Sequence, residues 1–138
     1  IADRMIELMR AQDGIGLAAP QVGLAWRLFV TRHPESAEQP GGRVFINPTI
    51  EVIDPTLEED QEGCLSLPGV DVLVRRPTGI RLRARSLQGG EIVEEMDDHF
   101  GRVCQHEVDH LDGVLIIDRM NTMERLRNRK AIRALERP

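Results

Sequence analysis

The sequence predicts an α+β fold in which antiparallel β-sheets pack around a central α-helix, with a further helix at the C-terminal end. Three observations support this prediction. Short runs of alternating or clustered apolar residues occupy the middle of the chain, at 70–74, 80–85 and 91–96. A helical pattern follows them and ends at Gly113, and a basic segment with a helix-start signal closes the chain.

Length and composition limit the possible classes of protein. The chain has 138 residues, so we expect a single domain over 1–138. Its 41% hydrophobic and 30% charged residues are typical of globular proteins, and no apolar run is long enough to span a membrane. A net charge of −5, with only three phenylalanines, one tryptophan and no tyrosine, disfavours DNA or other nucleic acid as the main partner.

Two cysteines are too few for a disulfide framework in a chain of this length. They indicate either a reduced pair of thiols or metal ligands. A reducing compartment follows from this, so we expect a cytoplasmic protein, or an organellar one if a targeting segment has been removed upstream.

The first third of the chain is predicted to contain the end of a helix, a glycine-rich segment and a strand. Apolar residues recur at helical spacing before Gln12, and Gly14 is available for a left-handed C-cap. The segment GIGLAAPQVG holds three glycines and a proline, which exclude a regular helix and indicate a backbone close to another group. A strand is expected at 26–32, followed by an exposed loop at 33–43.

The middle of the chain is predicted to form the antiparallel sheet. Two short β-type runs, at 44–46 and 50–53, are interrupted by Pro48. Proline lacks the N–H that a central strand needs, so these runs are expected at a sheet edge. The sequence Leu-Gln-Gly-Gly at 87–90 predicts a turn that joins the runs on either side of it as a hairpin.

Two helices are predicted after the sheet. Asp97 or Asp98 can cap the first of them. Asn121, with Glu124 three positions later, predicts the start of the last helix through a capping box. Residues 119–138 hold seven basic and two acidic groups, so positive charge is concentrated at one end of an otherwise acidic chain.

The central helix carries the strongest functional pattern. His106 and His110 lie four positions apart on one helical face and can share a metal ion, with Glu107 beside them. A carboxylate in that place can take a proton from metal-bound water without itself binding the metal. The alternative is a solvated or core helix that spells HExxH by chance.

A catalytic metal site of this kind needs a third protein ligand. A metzincin-type protease would use a histidine where this chain has Ile116, and a gluzincin-type protease would need Glu124 or Glu136 in the charged tail. Cys64, in a glycine-containing turn, is the stronger candidate, although its other interpretation is a small buried hydrophobe. Cys104 points away from the metal-binding face and is expected to be structural.

Three segments resemble, in the same order along the chain, the signature motifs of the peptide deformylase family: GIGLAAPQ, EGCLS and QHEVDH. The resemblance extends over 1–120. It implies a metal-dependent hydrolase that removes the N-terminal formyl group from formyl-methionyl nascent peptides and releases formate. A zinc endopeptidase of the HExxH type and a catalytically silent homologue that binds peptide or metal are the alternatives.

The resemblance also implies a ligand set and a proton carrier. Cys64, His106 and His110 would hold one divalent metal ion, with Fe(II) expected first and Ni, Co or Zn as other possibilities. This set suits a tetrahedral site with water in the fourth position. Glu107 would carry a proton to the departing amine.

Further residues receive roles from the same resemblance. The side-chain amide of Gln21 and the backbone N–H of Leu65 would stabilise the oxyanion of the reaction. An extended peptide is expected to lie against a set of small residues and one isoleucine next to the motifs: Gly14, Ile15, Gly16 and Gly63. A plain turn role is the alternative for Gly14.

Two positions depart from the family's pattern. His99 stands seven positions before the first metal-binding histidine, where an aromatic or aliphatic residue is usual, near the expected methionine pocket. Asp71 stands where some bacterial members have an arginine or a bulky residue near the substrate entrance. Substrate preferences beyond formyl-methionine are therefore open. We also expect Glu62 to pair with Arg76 and to support the EGCLS turn.

Two expectations concern the ends of the chain. The family's N-terminal segment, a strand and the beginning of the first helix, has no counterpart before Ile1, so we expect a domain that lacks it. The basic C-terminal helix is expected to be a solvated helix or, as the sharper hypothesis, to approach ribosomal RNA.

Overall fold

The computed structural model describes residues 1–32, 42–64 and 67–136. The loop predicted at 33–43 falls almost entirely outside these residues. The described residues form three α-helices, five β-strands and two 3₁₀ turns. In chain order these elements are α1 (Ala2–Ala11), β1 (Gly16–Ala18), a 3₁₀ turn (Ala19–Val22), β2 (Leu28–Thr31), β3 (Arg43–Gly63), β4 (Asp71–Arg85), β5 (Glu91–Met96), α2 (His99–Leu111), a 3₁₀ turn (Ile116–Arg119) and α3 (Thr122–Glu136).

The five strands form one antiparallel sheet in which each strand pairs with the next along the chain. Phe29 of β2, for example, lies opposite Phe45 of β3. The turn between β4 and β5 is the predicted hairpin, closed by a 2.8 Å hydrogen bond from the Ser86 N–H to the Gly90 carbonyl. The prediction of an α+β fold with an antiparallel sheet is confirmed, whereas that of a single domain stays a prediction.

The sheet edge predicted at Pro48 is wrong. The runs at 44–46 and 50–53 belong to one strand of 21 residues, β3, which lies between β2 and β4. The pairing of β3 with β4 shifts its register between Ile46 and Thr49. Pro48 therefore lies at an irregularity of the ladder, where the missing N–H of a proline is tolerated inside a sheet.

Other strands have bounds that differ from the prediction. The strand expected at 26–32 begins later, at Leu28, and ends one residue earlier. The runs at 70–74 and 80–85 are parts of the single strand β4, because the residues between them still pair with β3. Long-range pairing thus extends both central strands beyond their apolar runs.

Apolar side chains cover both faces of the sheet. Leu28 and Val30 of β2 pack in a cluster with Met9 of α1. Phe29, between them in sequence, packs in a second cluster with Cys104 of α2. Adjacent residues of a strand point to opposite faces, so α1 and α2 lie on opposite sides of the sheet. This arrangement brings α2 against β1, which is part of the glycine-rich segment.

The predicted capping residues begin both later helices. The Asp98 carboxylate accepts a 3.2 Å hydrogen bond from the Gly101 N–H at the start of α2. The Asn121 side chain accepts a 2.8 Å hydrogen bond from the Glu124 N–H at the start of α3. Gly113, just beyond α2, has a φ of 77°, which a glycine adopts without strain. No helix among the described residues is both long and apolar enough to cross a membrane.

The left-handed residue predicted after α1 is wrong by one position. Asp13 has a φ of 57°, whereas Gly14 does not have a positive φ. Aspartate is one of the few residues other than glycine that visit this conformation. Its carboxylate accepts a 2.6 Å hydrogen bond from Arg32, which holds the turn after α1 against the end of β2.

Candidate metal centre and substrate cleft

Three separate parts of the fold bring the predicted site residues together. The strand β3 ends at Gly63, so Cys64 follows directly after a strand. The helix α2 carries His106 and His110 on successive turns of one face. The 3₁₀ turn after β1 packs against α2 and carries Gln21. The three sequence motifs are thus joined by the packing of α2 against the sheet.

One thiol and two imidazoles form a compact cluster. The Cys64 Sγ lies 3.3 Å from the His110 Nε2, and the Nε2 atoms of His106 and His110 are 3.1 Å apart. The three donor atoms all lie within 4.8 Å of one another. One sulfur and two ring nitrogens at these separations suit a divalent transition metal that keeps a further position for water. The donor set therefore fits the metal that the resemblance implies.

Glu62 orients the first of these histidines. Its Oε1 lies 2.9 Å from the Nδ1 of His106. Burial would raise the pKa of Glu62, but hydrogen bonds from Arg76 and His106 outweigh it and hold the pKa at about 2. An ionised carboxylate can only accept, so the His106 Nδ1 carries the proton and the Nε2 side of the ring faces the cluster. Burial lowers the pKa of His106, but hydrogen bonds with Cys64 and Glu62 outweigh it and raise the pKa to about 10.

The predicted pair of Glu62 and Arg76 is confirmed. Arg76 donates two hydrogen bonds to the carboxylate, at 2.6 and 2.8 Å, and both side chains are buried. Arg76 also donates to Asp109 at 2.9 Å, and Asp109 accepts two 2.7 Å hydrogen bonds from Arg119. Sequence analysis missed Asp109, Arg119 and Arg102, which donates to Glu62 at 2.6 Å. The spacing of Arg102, one helical turn before His106, was a usable signal.

Glu107 lies buried against the first strand. It is 3% exposed, and its Oε1 has no hydrogen-bond partner among the described residues. A Cβ at Gly16 would lie 2.5 Å from the Oε2, which confirms that the glycine-rich segment lies close to another group. Burial raises the pKa of Glu107 to about 7, although the nearby imidazoles act in the opposite direction. A carboxyl group with this pKa can take up and release a proton near neutrality.

Gln21 is anchored with its amide nitrogen toward the cysteine. Its Oε1 accepts a 2.8 Å hydrogen bond from the Ala18 N–H, and its Nε2 lies 3.4 Å from the Cys64 Sγ. The side chain therefore presents N–H donors to the cluster rather than its oxygen. Leu65, the other predicted oxyanion donor, lies outside the described residues.

A cleft of about 450 Å³ opens beside the cluster. The four residues expected to contact the peptide all line it: Gly14, Ile15, Gly16 and Gly63. His99 also lines it, from the first residue of α2. Asp71 is exposed at the start of β4 and is not among the described residues that line this cleft.

The other candidate ligands have different roles. Cys104 is fully buried in the cluster between α2 and the sheet, where burial raises the pKa of its thiol. This agrees with its predicted structural role. The buried carboxylate of Glu124 accepts a 3.2 Å hydrogen bond from the Leu73 N–H, which joins α3 to β4. Ile116 is buried among apolar residues of the same region, and the side chain of Glu136 lies outside the description.

Comparison with known proteins supports the resemblance to the peptide deformylase family. A family model described as polypeptide deformylase matches residues 1–126. The peptide deformylase of a Thermotoga species is 44% identical over 135 residues, which cover 98% of this chain and 79% of that protein. The peptide deformylase of Rhodopirellula baltica is 45% identical over 120 residues, which cover 87% of this chain and 59% of that protein.

Solved structures of peptide deformylases have the same fold as this chain. The Plasmodium falciparum peptide deformylase in complex with an inhibitor superposes with a TM-score of 0.88 at 32% identity, covering 99% of this chain and 82% of that one. The Thermotoga maritima peptide deformylase superposes with a TM-score of 0.78 at 45% identity, covering 87% of this chain and 78% of that one. Sequence motifs, fold and relatives agree: the chain belongs to the polypeptide deformylase family of metal-dependent hydrolases.

Proposed function

We propose that the cleft removes the formyl group from formyl-methionyl nascent peptides, and that Cys64, His106 and His110 hold the metal ion this reaction needs. The observation that carries the proposal is the cluster of these donor atoms, within 4.8 Å of one another, next to the buried carboxyl group of Glu107. Fe(II) is the expected ion, and the mixed sulfur and imidazole set also suits Ni, Co or Zn. When bound, such an ion polarises a carbonyl oxygen and makes water acidic enough to react at neutral pH.

Glu107 carries the proton in this proposal. Hydrolysis adds water to the formyl carbon and breaks its bond to nitrogen, so one proton has to travel from the water to the leaving amine. The Glu107 Oε1 has no partner among the described residues, and we assign the transfer to this atom. The products are formate and a peptide with a free amino terminus.

Gln21 and Leu65 stabilise the charge that develops on the formyl oxygen. The orientation of the Gln21 side chain supports this role: its oxygen is held by the Ala18 N–H, and its amide nitrogen is directed toward the Cys64 Sγ, 3.4 Å away. The second donor is the backbone N–H of Leu65. Loss of one such donor costs about 3 kcal/mol in the barrier.

The first strand of the sheet offers a place for the peptide. Because β1 is an edge strand, its outer side can pair with an extended chain. The peptide would lie in the cleft against four small or apolar residues: Gly14, Ile15, Gly16 and Gly63. His99 would then contact the side chains of the peptide.

Formate release from a formyl-methionyl peptide under anaerobic conditions tests the proposal. Protein loaded with Fe(II) or Ni(II) is expected to release formate, to lose activity to a strong chelator and to regain it on reloading. Peptide binding without formate release would indicate a silent homologue, and cleavage inside an unformylated peptide would indicate an endopeptidase. Either result contradicts the proposal. Metal analysis of protein purified without oxygen identifies the natural ion.

We also propose that α3 contacts ribosomal RNA. Its basic side chains line a shallow groove: Arg127, Arg129, Lys130 and Arg133. Cations that neutralise phosphates release counterions, so the affinity for ribosomes is expected to fall between about 50 and about 200 mM salt. Affinity that stays constant over this range would contradict the contact.

We propose a cytoplasmic location as well. Cys64 is a proposed metal ligand and Cys104 is buried in the core, so both thiols are used in reduced form, which suits a reducing compartment. Oxidation of Cys64 would remove a proposed metal ligand. Localisation of the full-length protein by fractionation tests this proposal.

A further inference from the structure

Arg102 is a buried cation with no part in the reaction proposed above. It lies on α2 one helical turn before His106 and is 9% exposed. One guanidinium nitrogen donates to the Glu62 Oε2 at 2.6 Å and to the Val74 carbonyl at 3.0 Å, and the other donates to the Glu58 carbonyl at 2.6 Å. These bonds fix the guanidinium relative to both β3 and β4.

The carboxylate of Glu62 is consequently held from α2 at two points. Arg102 binds its Oε2, and the His106 Nδ1 lies 2.9 Å from its Oε1. Arg76 donates to both oxygens from β4. With each oxygen bonded on two sides, the plane of the carboxylate is set. The acceptor that receives the His106 N–H therefore stays in one place.

Arg102 also lines two spaces. One is the cleft of about 450 Å³, and the other is a polar recess of about 140 Å³ that includes Glu58 and Asp60 in its lining. Arg102 and His99 line both spaces. Truncating the Arg102 side chain would thus enlarge both spaces as well as remove one donor from Glu62.

We propose that Arg102 is a positioning residue for the metal centre: acting through Glu62, it fixes the imidazole of His106 toward the other two donors. The inference rests on the proposed function, in which His106 binds the metal. Groups that orient a metal-binding histidine typically change metal affinity or activity by about 10- to 100-fold when they are removed. The competing explanation is that Arg102 only ties α2 to the sheet.

Cobalt(II) in the full chain provides the test, because its visible absorption reports ligand geometry and its transfer to a chelator reports ligand strength. Arg102→Gln is expected to shift the absorption bands and to speed cobalt loss by about tenfold or more. Arg102→Lys keeps one cationic donor. It is expected to show a smaller band shift and a smaller increase in the rate of cobalt loss. Arg43→Gln is the matched control, since it breaks a bidentate pair with Glu94 rather than a bond to Glu62. It should lower stability without shifting the bands.

Glu62→Gln then separates the two explanations. If Arg102 acts through Glu62, adding Arg102→Gln to Glu62→Gln speeds cobalt loss little further. Additive effects would overturn the inference, as would wild-type bands and loss rate in the Arg102→Gln protein. If that variant does not fold, the same readouts on Arg102→Lys decide. Failure of the wild-type protein to bind cobalt at all would instead contradict the proposed function.

Discussion

Two buried glutamates near the same histidine differ in almost every other property. Glu62 is 7% exposed and Glu107 is 3% exposed. Glu62 accepts hydrogen bonds from Arg76, Arg102 and His106, and with these partners its pKa is about 2. Glu107 has one oxygen without a partner among the described residues, and burial raises its pKa to about 7.

The contrast teaches that burial alone does not decide what a carboxyl group does. Cationic donors around Glu62 keep it ionised and fixed, so it serves as an anchor. Without such donors, Glu107 is costly to bury but able to exchange a proton at neutral pH. Four substitutions test this difference between the two carboxyl groups, and their expected effects decrease from Glu107→Gln to Arg75→Gln.

Glu107→Gln should abolish most of the catalysis while leaving the metal in place. We expect formate release to fall by about 10²- to 10⁴-fold, because the variant cannot carry a proton. Metal content should stay unchanged, since Glu107 is not in the proposed ligand set. The free energy of unfolding should change little, because glutamine has nearly the same shape and removes a charge that burial disfavours. Activity within tenfold of wild type would contradict the proposed role.

Glu62→Gln should lower the stability of the metal-free protein in addition to its expected effect on metal binding through His106. Arg76 and Arg102 would remain buried beside an uncharged group, and breaking a buried ion pair costs about 3–5 kcal/mol. Urea denaturation of the metal-free protein measures the change. Glu94→Gln is the control, since Glu94 pairs with Arg43 and is more exposed. A loss no larger than that of the control would show that Glu62 is not the anchor described here.

Gly16→Ala should disturb Glu107 without changing its chemistry. The new Cβ would lie 2.5 Å from the Glu107 Oε2, so the carboxyl group has to move. A displacement of this kind is expected to lower kcat/KM by about 10- to 100-fold with the metal retained. Gly90→Ala, in the hairpin, provides the control because its Cβ would meet only the Ser86 hydroxyl, at 3.4 Å. Equal activity in the two variants would contradict a tight fit.

Arg75→Gln should have the smallest effect. Arg75 is adjacent to Arg76 in β4, but it is exposed. Its Nε lies 3.1 Å from the Oε2 of Glu59, which is exposed as well. Exposed ion pairs contribute about 0–1 kcal/mol, and salt weakens them further. Denaturation at low and high salt checks this value. A loss comparable to that of Arg76→Gln would mean that the exposed ion pair of Arg75 contributes as much as the buried pair of Arg76.

Most of the candidate site could be predicted because its signals are local. The spacing of His106 and His110 depends only on the helical repeat, and the start of α2 depends on a capping residue, Asp98. The pairing of Glu62 with Arg76 was also predicted, as support for the EGCLS turn. The first two features depend on short stretches of chain, whereas this pair joins two strands and was expected together with the family's motifs.

Features that depend on tertiary packing could not be predicted in the same way. Pro48 indicated a sheet edge, but partners on both sides keep β3 continuous through that position. The close approach of Gly16 to Glu107 depends on the packing of α2 against β1. Contacts between distant elements cannot be inferred from the spacing of residues along the chain. Arg102 was missed although its spacing was available, because arginine on a helix usually faces solvent.

The register of the two longest strands, β3 and β4, decides whether the proposed metal ligands can meet. Glu62 lies opposite Val72 and Gly63 opposite Asp71. A slip of one residue would turn Glu62 to the other side of the sheet, because neighbouring positions alternate. Cys64 would be carried out of reach of the imidazoles. In the proposed metal centre, a misaligned ladder would therefore lack its sulfur ligand, and only a correctly aligned chain would bring all three donor atoms together.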